Sequence, residues 1–279
     1  MILALMVILT LKGWRVFSTF LLALLAYQNF YSIMLVVPVA ICFLQRDVLG
    51  LVKYLNPTAV KSILLTLSLT MFWLISLLYY SFTLTQSWDF IRSTYGFVIM
   101  VPELTPNMGI FWYFFTEVFQ HFELFFIIVF QVNAFIYTIP LAIKLRNHSV
   151  FLLYTLIVLI SIFKSYPTYA DVGFYLSFIP CWSFTHKYMK NVFIVSNMYI
   201  WCAALSPVFY HLWIYAGSAN ANFYFALTLV FNGAQIFFIS DLILAYLRRD
   251  FDLHHPLPAA DTDKAKLTSS QEVDDVILS

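Results

Sequence analysis

Phe111 to Gln131 reads FWYFFTEVFQHFELFFIIVFQ, a stretch apolar enough for a lipid bilayer that nevertheless carries Glu117, Gln120, His121 and Glu123. Ionisable side chains at bilayer depth are costly and normally face protein or a watery cavity, so the stretch argues both for a membrane protein and for a site within it. In one continuous helix Glu117, Gln120 and His121 stand at i, i+3 and i+4 and share a stripe, with Phe114, Phe115, Phe119 and Phe122 covering the remaining surface. Glu123 extends this polar seam or points elsewhere. A metal site would need a third ligand and usually a second histidine, and a general acid/base pair has no activated nucleophile nearby in sequence. A seam that hydrogen-bonds neighbouring helices, or a lipid head group, fits better. No metal and no cofactor is expected.

The rest of the chain agrees with the membrane reading. Of 279 residues, 62% are hydrophobic, 20% aromatic and only 10% charged, far more apolar surface than one soluble core buries. The expected fold is all-α, a polytopic transmembrane helical bundle over residues 1–250, followed by a polar, disordered tail over 251–279. A net charge of +1 excludes nucleic-acid binding driven by phosphate neutralisation. Cys42, Cys181 and Cys202 lie in apolar runs without the paired spacing of a zinc or redox motif, and read as core or lipid-facing residues.

Charged punctuation separates the apolar runs Val16 to Leu44, Ser62 to Leu84, Ile110 to Ile143, Val150 to Phe163, Val172 to Phe184, Val192 to Tyr215 and Phe223 to Leu247. Val16 to Leu44 and Ile110 to Ile143 are too long for one straight span of roughly 30 Å, so each is expected to bend or divide. Val150 to Phe163 and Val172 to Phe184 are short for spans, and a re-entrant pair is the rival to two crossings. Pro38, Pro140, Pro180 and Pro207 predict kinks. The opening MILALMVILTL lacks the flanks of a signal peptide and reads as the end of a span whose beginning is absent.

Basic residues alternate between the connections. Arg46, Lys53, Lys61, Lys144, Arg146, Lys187, Lys190, Arg248 and Arg249 fall on one side, whereas the loops Thr85 to Gly109, Lys164 to Asp171 and Ala216 to Asn222 hold only Arg92 and Lys164. The positive-inside rule assigns the basic side, and the tail, to the cytosol. The sequon Asn147-His148-Ser149 is then cytosolic and unmodified.

Two further features bear on function. Asp241 lies in the last apolar run two turns before Arg248, too far for pairing along the helix, and is expected to meet another helix; Gln120 is taken, like Asp241, as a structural intramembrane polar residue. The loop Ala216-Gly-Ser-Ala-Asn-Ala-Asn222 is small, uncharged and flanked by aromatic residues, so it sits at head-group level. Ser218, Asn220 and Asn222 there offer donors and acceptors to a sugar, a phosphate or another backbone; a plain interhelical turn has the same composition. No phosphate loop, HExxH or GxSxG is present, and the acids Asp89, Glu103 and Asp171 are unpaired in sequence.

The strings NMGIFWYFFTEVFQHFELFFIIVFQ, FIYTIPLAIKL, IFKSYPTYADVGFY, HLWIYAGSANANFYFALTL and ISDLILAYLRRD, in this order, closely resemble the PIG-U family, the polytopic subunit of the GPI transamidase complex. The resemblance runs from about Leu44 to Asp250. It implies a non-catalytic endoplasmic-reticulum membrane subunit that helps recognise the GPI glycolipid during its attachment to precursor proteins, with membrane partners and a separate caspase-like subunit carrying the nucleophile. It also implies a fold similar to the lipid-linked mannosyltransferases of the GT-C type. The family's AGSANxN motif falls on Ala216 to Asn222, which makes Ser218, Asn220 and Asn222 candidates for contact with GPI or a partner. Its aromatic stretch falls on Phe114 to Phe122, adding Phe114, Phe115, Glu117, His121 and Phe122 as candidates that face GPI, membrane lipids or a partner. Gln120 stands where the family pattern has an acid and Glu123 where it has a neutral residue. Members carry further spans ahead of this region, so the chain is expected to be N-terminally truncated, and the tail after Asp252 departs from the family's ending. A lipid-linked glycosyltransferase and a polytopic transporter are the alternative functions.

Overall fold

The structure is a computed structural model that describes residues 1–48 and 57–255. The expected disordered tail lies outside the described residues except at its start, where the last helix continues through His254. Lys53, of the basic set, also lies outside them. Every regular element among the described residues is helical. α1 (Ile2–Lys12) turns at Gly13, φ 81°, into α2 (Arg15–Gln28), and the 3₁₀ segment Phe30–Leu35 leads into α3 (Val36–Val48). α4 (Pro57–Thr85) is followed by the short α5 (Asp89–Ile91), a π turn over Arg92–Gly96 and α6 (Phe97–Met100). Then come α7 (Phe111–Glu117), α8 (Gln120–Ile136), α9 (Thr138–Lys144), α10 (Ser149–Phe163) and α11 (Tyr169–Leu176). A 3₁₀ segment, Ile179–Tyr188, precedes α12 (Val192–Ile214) and α13 (Ala221–His254).

Among the described residues five stretches are long and apolar enough to cross a membrane: Phe30–Asp47, Pro57–Thr85, Gln120–Lys144, Val192–Ile214 and Ala221–His254. The two overlong runs are both divided, as their length requires. Val16 to Leu44 breaks at Asn29, whose backbone is extended and whose side chain accepts from the Tyr31 N–H. Ile110 to Ile143 breaks at Val118 and Phe119 and bends again at Tyr137. Pro180 sits in a first turn, where a missing N–H is harmless; Pro140 follows the bend at Tyr137, Pro38 follows the change from 3₁₀ to α after Leu35, and Pro207 lies inside α12.

The short run beginning at Val150 becomes α10, whose 15 residues rise only about 22 Å, less than a hydrocarbon core. It is sheathed by protein. Twelve of its residues are buried, which explains why its sequence has no polar face. At one end Ser149 Oγ donates to Gln45 Oε1 at 2.5 Å; just past the other end the Ser165 amide donates to the Tyr31 hydroxyl at 3.2 Å. The chain returns through α11 and a 3₁₀ segment that kinks at Trp182 rather than through one helix. Irregular backbone at this depth is tolerated only where protein satisfies it.

α2 packs against α4, and the buried residues of α4 are all small, Ala59, Ser62, Thr66 and Thr70, which lets backbones approach where lipid supplies no hydrophobic drive, while Ser18 of α2 meets Thr10 of α1 at 2.6 Å. Arg15 locks this corner, donating to Asp47 at 2.5 Å and Ser62 Oγ at 3.0 Å, with its guanidinium 4.8 Å from the Phe43 ring centre.

The basic connections gather at one end. The Gln45 amide donates to the Arg146 carbonyl at 2.7 Å, His148 lies 3.4 Å from Asp250, and Arg249 covers the Phe184 ring at 4.1 Å. Asn147 is exposed at this basic end. Expression in mammalian cells followed by glycosidase digestion is expected to leave the mobility of the chain unchanged. A glycan on Asn147 would reverse the assigned orientation.

Candidate functional site

The continuous helix expected through Glu117, Gln120 and His121 does not form. Glu117 ends α7, Val118 and Phe119 are both extended (ψ 140° and 136°), and Gln120 begins α8, so the three residues do not share a stripe. No proline or glycine marks the break. Its cause is tertiary: Phe114 meets Phe126 and Phe130 at 5.0 and 4.8 Å, and Phe111 meets Phe130 at 5.0 Å, so α7 folds back along α8. Edge-to-face and offset ring packing is a substantial, geometry-specific gain. Phe115 is buried in this cluster, Phe114 half-buried, and Phe122 is exposed with its ring edge-on to His121.

Glu117, Gln120, His121 and Glu123 are all exposed at the joint. The segment Gln120–Lys144 has 25 residues and rises about 37 Å, more than the hydrocarbon thickness, so its first turn lies at or beyond the membrane surface remote from the basic end. Glu123 in the first turn of α8 complements the helix dipole, whereas Glu117 at the end of α7 opposes it.

The same end carries the loop Ala216 to Asn222, and the structure brings it against α7. Trp112 stacks on Trp213 at 5.8 Å and meets Phe225 edge-on; Tyr113 stacks on Phe225 at 4.2 Å, and its hydroxyl donates to Asn222 Oδ1. Gly217 adopts φ 63°, a left-handed conformation open to glycine, which lets the amides of Ser218 and Ala219 return to the Leu212 carbonyl. Asn220 caps α13, its side chain accepting from the Asn222 N–H at 3.1 Å. Both asparagines and Ser218 are exposed, with the amide nitrogens of Asn220 and Asn222 making no hydrogen bond among the described residues. The loop therefore joins helices and presents donors outward.

Beneath this face lie buried polar groups that a search for ionisable residues passes over. The Tyr31 hydroxyl donates to Gln131 Oε1 at 2.7 Å; Gln131 Nε2 donates to the Ile99 carbonyl at 2.9 Å and to Ser165 Oγ at 3.1 Å. Asn232 donates to the Met108 carbonyl at 2.8 Å, and the Tyr169 hydroxyl approaches Met108 Sδ at 3.0 Å. Next to Met108, Gly109 is packed so closely that a Cβ would lie 2.7 Å from the Pro167 ring. Uncharged amides in apolar runs were the available signal.

Asp241 is buried at the opposite, basic end. It meets another helix through backbone rather than through an ion pair: Lys190 N–H donates at 3.0 Å and Asn191 N–H at 2.9 Å, so a carboxylate from α13 caps the start of α12. Of the acids a glycosyltransferase reading would use, Asp171 accepts from Thr168 and lies 2.6 Å from Lys164, Asp89 accepts from Ser87, and Glu103 accepts from Thr105. Each serves its own loop.

The chain matches the family described as GPI transamidase subunit PIG-U over residues 1–231, so the likeness reaches back to the first residue rather than starting near Leu44. It is 45% identical over 269 residues to the GPI-anchor transamidase component PIGU of Homo sapiens, covering 92% of this chain and 59% of that protein. It is 31% identical over 241 residues to the GPI transamidase component GAB1 of Saccharomyces cerevisiae, covering 86% of this chain and 58% of the yeast protein. The chain thus spans about three fifths of the length of these relatives.

Proposed function

This chain belongs to the family of GPI transamidase subunit PIG-U, and on that premise we propose that it is a non-catalytic membrane subunit of the transamidase that helps recognise or present the GPI lipid for attachment to precursor proteins. Its partners are the other transamidase subunits, the caspase-like catalytic subunit among them, and its place is the endoplasmic-reticulum membrane with the basic end and tail in the cytosol. The carrying observation is the meeting of α7 with the loop Ala216 to Asn222 at the end remote from the basic residues. An aromatic wall there suits lipid chains at head-group level, and the outward amides of Asn220 and Asn222 suit glycan hydroxyls or phosphate.

The test is rescue. The tagged chain, expressed in cells lacking the endogenous subunit, is expected to co-purify the remaining subunits and to restore GPI-anchored proteins at the cell surface, read by flow cytometry. Asn222→Ala is expected to leave assembly intact and to lower surface display severalfold. Assembly and display both equal to the unaltered chain would remove Asn222 from the recognition face, and failure of the unaltered chain to recover any subunit would remove the assignment.

A further inference from the structure

At the basic end, between the 3₁₀ segment Ile179–Tyr188, α12 and α13, lies a cavity of about 730 Å³ lined by Leu176, Ile179, Trp182, Tyr199, Phe238 and Leu242. That volume is within the roughly 300–1,000 Å³ of ligand sites. Ser196 and Ile200, exposed on α12, form part of its rim, so it opens sideways toward the lipid-facing surface. His186 and Met189 line its other edge, and each is followed by an exposed lysine, Lys187 and Lys190, neither of which makes an ion pair among the described residues. Arg249, over Phe184, adds a third cation to the same segment. The facing carboxylates are committed: Asp241 to the amides of Lys190 and Asn191, and Asp252 to the Tyr188 hydroxyl, whose pKa that hydrogen bond raises. The buried Trp182 indole N–H has no hydrogen-bond partner among the described residues.

An apolar chamber open to lipid, bordered by uncompensated cations, matches an amphiphile with an acyl chain and a negative head. We propose that the cavity holds one acyl chain of an anionic glycerophospholipid whose phosphate is met by Lys187 and Lys190. The site lies at the end opposite the loop Ala216 to Asn222 and is independent of the GPI reading. Juxtamembrane lysines attract anionic lipid by about a factor of five each, so charge and cavity together select head group and chain.

The test uses the full chain purified from cell membranes in mild detergent, with co-purifying lipid identified by mass spectrometry and exchange measured with labelled phosphatidylserine and phosphatidylcholine. Phosphatidylserine is expected to bind at least tenfold better than phosphatidylcholine. Lys187→Gln with Lys190→Gln, both on the surface, is expected to lower its binding about thirtyfold, and Ser196→Trp, which fills the rim, to abolish it. Equal binding of the two lipids, a sterol in place of phospholipid, or undiminished phosphatidylserine binding in both variants would each overturn the proposal.

Discussion

Asp241→Ala is expected to destabilise the chain by about 3 kcal/mol, because it strands two backbone donors that no other group among the described residues accepts from. Lys190 and Asn191 are the residues just ahead of α12, and their N–H groups converge on the Asp241 carboxylate at 3.0 and 2.9 Å. A buried donor left unsatisfied costs about 1–3 kcal/mol, and a carboxylate at a helix start adds a favourable dipole interaction of about 0.3–1 kcal/mol. Asp241→Asn retains a carbonyl acceptor and is expected to lose less than half as much. Thermal unfolding in detergent, followed by tryptophan fluorescence, separates the two variants. Equal losses in both would show that charge, and not the reach of an acceptor, holds the α12 start. Arg248 is not the partner of Asp241, so Arg248→Gln is expected to leave the midpoint unchanged within about 0.5 kcal/mol.

Which parts of this architecture could be read from the residues follows from where the determining forces lie. The division of Val16 to Leu44 was legible in its length, and Asn29 before an apolar run is itself a start signal. For Val150 to Phe163 only the shortness was legible, which left two crossings and a re-entrant pair open; its burial on all sides comes from the helices packed around it. The joint at Val118 and Phe119 was not legible. Neither residue breaks helices, and the break comes from rings two or three turns further on, Phe126 and Phe130, that the sequence does not mark as partners of Phe111 and Phe114. That one joint dissolves the seam of Glu117, Gln120 and His121, which rested on helical spacing alone. The meeting of Tyr113 with Asn222 spans 109 positions and likewise lay beyond local pattern. Membership of the PIG-U family was legible in strings such as AGSANAN, yet those strings say which residues matter to the family and not what each touches.

Gln131→Leu is expected to have an effect as large as that of Asp241→Ala, at a junction halfway along the segment Gln120–Lys144. Leucine matches glutamine in bulk, so the change removes hydrogen bonds with little cavity. What is lost is a junction: Gln131 accepts from the Tyr31 hydroxyl and donates to the Ile99 carbonyl and Ser165 Oγ, joining α8 to the 3₁₀ segment after α2, to α6 and to the loop after α10. Tyr31 is 2% exposed and Ser165 0%, so water does not replace the missing partner. The expected loss is about 3 kcal/mol, three hydrogen bonds at about 1 kcal/mol each, while Tyr31 and Ser165 keep the bond to each other at 2.7 Å. Tyr31→Phe removes the other side of the junction and strands the Ser165 N–H that its hydroxyl accepts. Because both substitutions damage one network, the double variant is expected to fall short of the sum of the single losses by 0.5 kcal/mol or more, as groups in direct contact do. Additivity within about 0.3 kcal/mol would mean that the four segments are held separately. The coupling bears on the proposed recognition face, since α8 also carries Phe126 and Phe130, the rings that hold α7 against the loop of Asn220 and Asn222. A chain with Gln131→Leu is therefore expected to lose GPI-anchored proteins at the cell surface in the same order as it loses stability, ahead of any change at Asn147 or elsewhere at the basic end.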